Sequence, residues 1–295
     1  MDPAVLIVNP RASRVTPELT LAVERELAAA GPLETVLTER PRHAAELAAE
    51  ACTRCDRIYV FAGDGGFNEV VNGISDEVAV GFLPGGATSV LPRALGLPRD
   101  PVACARALAT GKERRISLGR ANGRRFTFSA GLGLDAELVR KMDDRGRPRG
   151  RRAGDVSFAL TLASLFAGRL GRFPPAMTVV GRERVAFALV ANCDPYSFVG
   201  RVPLRVAPEA RFELGLDVIA PRRLEPWLLP RVVRWITAGR GQTRSRHVLY
   251  LHDVDEILVE CDGPTPLQVD GEDLGDVTDA RFEAERDALT VVVGR

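Results

Sequence analysis

An apolar run at residues 58–61 leads directly into Gly63-Asp64-Gly65-Gly66, and a helical pattern of apolar residues follows it. The same order of strand, turn and helix repeats along the first part of the chain. Continuous apolar runs are typical of strands buried on both faces of a parallel sheet. The repetition predicts a doubly wound α/β domain, with strands at 4–8, 33–38, 57–62 and 78–83 and helices after Thr16-Pro17 and at 42–53, 67–74, 88–95 and 101–110.

The pattern changes after about residue 115, where short strand-like segments follow one another with few helices between them. We expect a mostly antiparallel second domain here, and we place the boundary so that the domains are 1–118 and 119–295. The expected elements are strands at 124–129, 177–180, 185–191, 216–220, 248–251, 257–260 and 289–293, and helices at 154–169 and 225–238.

The composition excludes several classes of protein. The chain has 295 residues, 45% hydrophobic content and a formal net charge of +1, so neither a disordered chain nor a nucleic-acid-binding protein is indicated. Five cysteines without an apolar, cleavable leader indicate a reducing cytosol, and we interpret Cys52 and Cys55 as ordinary helix residues. No run reaches the ~18 apolar residues that a membrane span needs.

Three turns follow expected parallel strands: Asn9-Pro10, Gly63-Asp64-Gly65-Gly66 and residues 84–88. The carboxyl ends of parallel strands meet at one edge of the sheet, so these turns should converge on one crevice. Glycines let a backbone approach a phosphate closely, and a carboxylate can hold Mg²⁺ or a ribose hydroxyl. We predict nucleotide binding there by Asn9, Pro10, Thr38, Gly63, Asp64, Gly65, Gly66, Asn68, Glu69, Gly85, Gly86, Ala87, Thr88 and Ser89.

Two other nucleotide-binding patterns do not account for this site. No G-x-x-x-x-G-K-[ST] sequence is present, which excludes a P-loop enzyme. Residues 131–136 have the form G-x-G-x-x-A, which resembles a dinucleotide fingerprint, but they lie beyond the alternating part of the chain. We therefore do not favour a dinucleotide site at residues 131–136.

Several blocks of sequence, in this order and spacing, resemble the diacylglycerol kinase catalytic family, which includes bacterial soluble lipid kinases and sphingosine kinases. The blocks are Asn9-Pro10, residues 63–73, 83–98 and 130–136, and Val269-Asp270-Gly271-Glu272. The resemblance implies a phosphofructokinase-like nucleotide-binding domain and a β-sandwich domain that binds the lipid. It also implies ATP and Mg²⁺ in a cleft between the domains, and transfer of phosphate to a diacylglycerol-like hydroxyl in phospholipid metabolism.

The chain departs from the family at several positions. Members usually read G-D-G-T where Gly66 stands and G-T-x-N where residues 86–89 stand, and an asparagine is common at the place of Ser129. Each lost charge-assisted hydrogen bond could weaken nucleotide binding by ~1.5–3 kcal/mol. Two rivals to the lipid kinase therefore stay open: a silent nucleotide- or lipid-binding regulator, and a nicotinamide-dinucleotide kinase.

Phosphoryl transfer needs phosphates held in line, a metal to absorb charge and a carboxylate to accept the hydroxyl proton. We predict Asp64 for the metal and phosphate, and Asp270 or Glu272 for the base. The alternative for Asp270-Gly271 is a tight hairpin turn. Residues 208–217 resemble a family loop that holds a structural Mg²⁺, which makes Glu213 and Asp217 candidate oxygen ligands beside Asp64.

A kinase that takes its substrate from a bilayer must touch the membrane without spanning it. We expect Trp227 and Trp235 to lie on one helix face with Arg231 and Arg234, or else to dock that helix on the second domain. Arginines between residues 145 and 152 form a second basic segment. The expected location is cytoplasmic with transient membrane contact, nucleic acid is not an expected partner, and a homodimer stays open.

Overall fold

The computed structural model describes residues 4–75, 77–144 and 155–294. The chain divides into two compact units. The described part of the first unit is 4–116, apart from Asp76, together with 287–294, and that of the second is 117–144 and 155–286. Residues 287–294 were expected in the second domain. They lie in the first unit because Thr290 and Val291 pair in parallel with Ala79 and Val80 of its sheet.

The first unit has the expected alternating order. Strands β1 (Ala4–Val8), β2 (Leu33–Leu37), β3 (Arg57–Ala62) and β4 (Ala79–Pro84) form a parallel sheet in the order β2-β1-β3-β4. The helices are α1 (Pro17–Ala28), α2 (His43–Ala51), α3 (Asp64–Val71), α4 (Val90–Ala94) and α5 (Pro101–Ala109). Residues 5–8 of β1 are at most 1% exposed, as a strand covered on both faces requires.

Helix α3 begins at Asp64, three residues before the expected start. Gly63 is its extended N-cap residue, and the first helical hydrogen bond runs from Phe67 N to Gly63 O at 3.1 Å. Asp64, Gly65 and Gly66 are therefore the first turn of the helix and not a loop before it. Their backbone N–H groups precede the helical hydrogen-bond ladder, and such groups commonly bind anions.

The second unit is mostly antiparallel, as expected. Strands β7 (Ser129–Leu132), β10 (Ala188–Ala191), β13 (Leu216–Pro221), β14 (Val248–Val254) and β15 (Glu256–Val269) pair in the order β14-β13-β10-β7-β15. The remaining strands are β5 (Lys112–Ala121), β6 (Arg124–Phe126), β8 (Met177–Val179), β9 (Arg184–Val185), β11 (Ser197–Val199), β12 (Val202–Leu204) and β16 (Glu272–Val293).

In the described part of this unit the α-helices are α6 (Leu134–Asp144), α7 (Asp155–Gly168) and α8 (Leu229–Ala238). The sequence did not predict α6, β5 or the β11–β12 hairpin. The predicted helix at 225–238 is in fact a 3₁₀ turn, Pro226–Leu228, followed by α8. No helix in the described part of the chain combines the length and apolar character needed to cross a bilayer.

Candidate active site

The three turns after β1, β3 and β4 are joined by backbone contacts. Gly85 N donates to Ala62 O at 2.8 Å, and Arg14 N donates to Gly85 O at 2.9 Å. A Cβ atom at Gly86 would lie 2.9 Å from the Cα of Gly63. Glycine is therefore needed where the second and third turns meet, and the structure brings together the turns that the sequence placed at one edge of the sheet.

The carboxylate of Asp64 links the second turn to the third. Its Oδ1 accepts a hydrogen bond from Val90 N at 2.7 Å, at the first residue of α4, and the residue is only 4% exposed. Asp64 was expected on an open, ligand-facing turn. It is instead buried, because its carboxylate receives a backbone N–H of a helix that begins beside it.

Gly65 and Gly66 occupy very different surroundings. No atom would lie within 4 Å of a Cβ at Gly65, whereas a Cβ at Gly66 would lie 2.7 Å from the Cβ of Ala62. Gly66 is thus required by packing against β3. Neither packing nor a left-handed backbone requires glycine at residue 65. The missing side chain there leaves space over the first turn of α3.

Polar groups of the third turn form hydrogen bonds with one another. Ser89 has a left-handed backbone with φ of 48°, and its Oγ accepts from Gly86 N and donates to Gly86 O, both at 3.1 Å. The Ser89 hydroxyl was expected at the phosphate but closes the turn. Ala87 is exposed and Thr88 is half-buried.

The other predicted nucleotide residues lie around these turns. Asn9 Oδ1 accepts from Arg11 N at 2.9 Å, which shapes the turn after β1, and Thr38 N donates to Val8 O at 2.9 Å. Asn68 is fully buried within α3, and Asn72 Nδ2 donates to its side-chain oxygen at 3.2 Å. Glu69 Oε2 accepts from Ala44 N at 3.3 Å, so this carboxylate binds the start of α2.

In the second unit, Asp270 is both a turn residue and a buried anchor. Val269 pairs with Glu272, and Asp270 and Gly271 have φ of 47° and 78°, which gives a two-residue type I′ hairpin turn between β15 and β16. The Asp270 side chain points inward and the residue is 1% exposed. Asp270, one of the two residues predicted as the base, is therefore also the first residue of the hairpin turn that was the alternative.

Four donors surround the Asp270 carboxylate. Thr127 N and Thr127 Oγ1 donate to Oδ2 at 2.7 and 2.9 Å, while Phe128 N and Ser129 N donate to Oδ1 at 3.0 and 3.2 Å. These bonds occupy about the four acceptor sites of a carboxylate. The side chain of Glu272, by contrast, is about half exposed and pairs with Arg124 Nη2 at 3.0 Å.

A buried network that the sequence did not predict supports the same hairpin. Gly271 N donates to Gln268 Oε1 at 2.8 Å, Gln268 Nε2 donates to Asp135 Oδ2 at 2.5 Å, and Tyr196 OH donates to Asp135 Oδ1. Burial raises the pKa of Asp135, against the opposing effect of its two donors. A Cβ at Gly131 would lie 2.0 Å from Asp135 Oδ2, so the G-x-G-x-x-A pattern makes room for this carboxylate.

The predicted structural metal ligands differ sharply in their surroundings. Asp217 is fully buried, and its carboxylate accepts hydrogen bonds from Tyr250 OH and from Asp253 N at 3.1 Å and contacts His252 Nδ1 at 2.8 Å. Glu213 is exposed. Within residues 4–75, 77–144 and 155–294, no three His, Cys, Asp or Glu side chains are grouped so that they could hold a metal ion.

The two tryptophans do not share a helix face. Trp227 lies in the 3₁₀ turn before α8 and is 62% exposed, while Trp235 of α8 packs against the buried cluster of Val206, Ile219 and Val248. The expectation of one aromatic face is therefore wrong. The arginines expected between residues 145 and 152 lie outside the described residues.

Residues 3–121 match the family model of the diacylglycerol kinase catalytic domain. The resemblance to the diacylglycerol kinase catalytic family is confirmed. A diacylglycerol kinase of Bacillus subtilis (strain 168) is 36% identical over 146 residues, which cover 47% of this chain and 48% of that protein. A diacylglycerol kinase of Staphylococcus saprophyticus is 29% identical over 132 residues, which cover 42% of each chain. The match thus spans less than half the length of these curated relatives.

Solved structures share the fold over nearly the whole chain. A diacylglycerol kinase crystal structure from Bacillus anthracis has a TM-score of 0.75 at 19% identity and covers 99% of this chain and 97% of that one. A second structure from the same organism has a TM-score of 0.80 at 21% identity, covering 99% and 95%. This similarity establishes the diacylglycerol kinase type of two-domain fold.

Proposed function

We propose that this protein is an ATP- and Mg²⁺-dependent lipid kinase that transfers the γ-phosphate of ATP to the hydroxyl of a diacylglycerol-like lipid. The observation that carries the proposal is the family match over residues 3–121, which includes all three joined turns. Relatives named as diacylglycerol kinases support the class of acceptor.

The first unit supplies groups suited to a nucleotide phosphate. The N–H groups of Gly65 and Gly66 precede the hydrogen-bond ladder of α3, and the space at Gly65 lets a phosphate reach them. The contact between Gly63 and Gly86 holds the turn after β4 beside that helix start. A phosphate bound there would receive backbone hydrogen bonds and the favourable end of the helix dipole.

Magnesium would enter together with the nucleotide. Kinases usually hold Mg²⁺ through one or two carboxylates and the phosphate oxygens of the substrate, and Asp64 is the carboxylate nearest this helix start. When bound, the ion supplies charge neutralisation at the transferring phosphoryl group. The residues of this chain would orient the phosphates and exclude water from them.

Glu272 is the stronger candidate for the base that accepts the proton of the lipid hydroxyl. Asp270 has its carboxylate oxygens bound by four donors and is nearly inaccessible, whereas Glu272 is half-exposed and has Arg124 as its ion-pair partner. Asp270 would then fix the hairpin that presents Glu272. Activity lost in Glu272→Gln with unchanged ATP binding would support this division, with a fall of ~10²–10⁴-fold in kcat.

The matched variant Asp270→Asn distinguishes the two roles. An amide cannot accept hydrogen bonds at its nitrogen, so this change should lower thermal stability as well as activity. If Asp270→Asn abolishes transfer at unchanged stability while Glu272→Gln transfers normally, Asp270 is the base.

Phosphoryl transfer itself is tested with γ-labelled ATP, Mg²⁺ and a mixed lipid extract, beside a second reaction that contains NAD. Label in the organic phase is the expected result, and Gly65→Ala should reduce it because a methyl group enters the phosphate space. Label in NAD alone would indicate a nicotinamide-dinucleotide kinase and overturn the proposal.

A silent nucleotide-binding regulator is the second candidate. The observation that favours it is the loss of free hydroxyls: Gly66 has no room for threonine, and Ser89 closes its own turn. Binding of ATP by calorimetry, without label in lipid or NAD, would support the regulator over the kinase.

A further inference from the structure

Residues 226–252 contain no aspartate or glutamate but five arginines, in a chain whose 40 basic and 39 acidic residues nearly balance. All five are exposed, in or after α8: Arg231, Arg234, Arg240, Arg244 and Arg246. Positive charge is therefore segregated into one segment of the second unit.

The described residues do not neutralise this charge. Among the described residues, no carboxylate lies within 4 Å of any of the five guanidinium groups. Several arginines elsewhere in the unit are paired with carboxylates: Arg140 binds Asp273 at 2.7 Å, Arg286 binds Asp253 and Asp255 at 2.7 Å, and Arg184 binds Asp262. A segment left with only positive groups favours an anionic partner.

Apolar side chains project from the same region. Trp227 is 62% exposed and Val233 on α8 is 60% exposed. Leu170, in the turn after α7, is 74% exposed, and its neighbour Gly171 lies against Pro226, where an added Cβ would be 3.1 Å from the proline ring. Leu170 and Trp227 are therefore carried by adjacent turns.

Two of these arginines, Arg231 and Arg246, lie near the histidine that contacts the exposed tryptophan. The Trp227 ring packs edge-on against His247, with ring centres 5.4 Å apart. Burial, together with the positive charges of Arg246, Arg231 and Arg222, lowers the pKa of His247. Aromatic and cationic groups thus lie together at Trp227 and His247. We group them with the exposed residues of α8 and of the adjacent turn under the name Trp227 surface: Leu170, Trp227, Arg231, Val233, Arg234 and Arg246.

We propose that the Trp227 surface docks the protein on an anionic lipid bilayer, with Trp227, Val233 and Leu170 entering the headgroup region and the arginines binding lipid phosphates. Tryptophan prefers the membrane interface, and arginine binds phosphate in a forked geometry. Exposed aliphatic side chains among arginines favour a bilayer over an acidic protein or a nucleic acid. The inference adds the place of membrane contact to the proposed function.

Vesicle sedimentation without ATP tests docking separately from phosphoryl transfer. We expect binding to vesicles of phosphatidylglycerol and phosphatidylcholine and little binding to phosphatidylcholine alone. Each arginine near a charged bilayer contributes about fivefold in affinity, so Arg231→Gln with Arg234→Gln should weaken binding about 25-fold. The control Arg184→Gln with Arg281→Gln removes the same charge from paired positions and should bind almost as wild type.

Tryptophan fluorescence tests insertion directly, because Trp227 and Trp235 are the only two tryptophans of the chain. In Trp235→Phe, the emission of Trp227 should shift to shorter wavelength when anionic vesicles are added. Equal weakening in both arginine pairs, or an unshifted Trp227 in vesicle-bound protein, would overturn the proposal. Binding to an RNA oligonucleotide or polyglutamate but not to anionic vesicles would also overturn it.

Discussion

Gly65 and Gly66 are neighbours in the first turn of α3, but their missing side chains serve different purposes. Gly66 lacks a side chain because Ala62 on β3 fills the space, whereas Gly65 faces open space. A threonine at residue 66 of this chain would therefore need a smaller residue at position 62. The sequence showed the departure at Gly66 but not the packing that accompanies it.

Gly66→Thr should consequently destabilise the first unit instead of restoring a phosphate ligand. A Cβ at 2.7 Å from the Ala62 Cβ forces a shift, and overpacking of this kind costs ~1–3 kcal/mol. In an Ala62→Gly background the same threonine should cost much less. Denaturant unfolding of the two single variants and the double variant measures this coupling, and strictly additive effects would show that Ala62 is not the obstacle.

The pKa of Asp135, which burial raises, leads to a prediction for the pH dependence of stability. A carboxyl whose folded pKa is raised contributes most to stability below its ordinary value near 4, and that contribution is lost as pH rises through the folded pKa. Asp135→Asn is neutral throughout, so its melting temperature relative to wild type should be higher at about pH 7 than at about pH 4. A constant difference between the two pH values would contradict the raised pKa.

Among the elements, the β15–β16 hairpin is held by hydrogen bonds of two buried polar side chains. Asp270 anchors it from one side through Thr127, Phe128 and Ser129, and Gln268 holds Gly271 from the other. Because Gly271 N–H can only donate, Gln268 must present its oxygen to the turn and its amide nitrogen to Asp135. The orientation of the whole network follows from that one backbone group.

Gln268→Glu should therefore destabilise the hairpin, since it places two carboxylates against each other at a buried site. Adding Asp135→Asn returns an amide donor opposite the new carboxylate and should recover most of the lost melting temperature and kinase activity. ATP binding should stay close to wild type in Gln268→Glu, in Asp135→Asn and in the double variant, because the predicted nucleotide residues lie in the first unit. A double variant as unstable as Gln268→Glu would refute the assigned polarity.

For the whole molecule, the sequence was sufficient where local patterns decide structure. Continuous apolar runs located β1, β3 and β4, and Thr16 and Pro17 located the start of α1. Patterns failed where distant contacts decide: Asp270, Gln268 and Asp217 look like surface residues until strands far apart in sequence bury them. The three turns come together as the sequence predicted, but the hydrogen bonds of Asp64 and Ser89 could not be predicted from spacing.

The contacts of Asp217 lead to a prediction for the intact protein. Tyr250, His252 and the backbone of Asp253 already surround this carboxylate, so the fold should not depend on a structural divalent cation there. EDTA without nucleotide should leave the melting temperature unchanged. Asp217→Ala should lower the melting temperature, because unpaired buried donors would reduce the free energy of unfolding by roughly 3 kcal/mol. A marked drop with EDTA, reversed by Mg²⁺, would indicate a metal at this loop.

Strand β16 begins in the second unit and ends in the first, where Leu289, Val291 and Val292 are at most 1% exposed. Residues 4–116 therefore emerge from the ribosome long before the last part of β16, which completes their sheet, has been synthesised. Until then β4 has an unpaired, apolar edge, which is a hazard for aggregation. We therefore expect that a nascent chain of this protein needs protection at that edge while the second unit is translated.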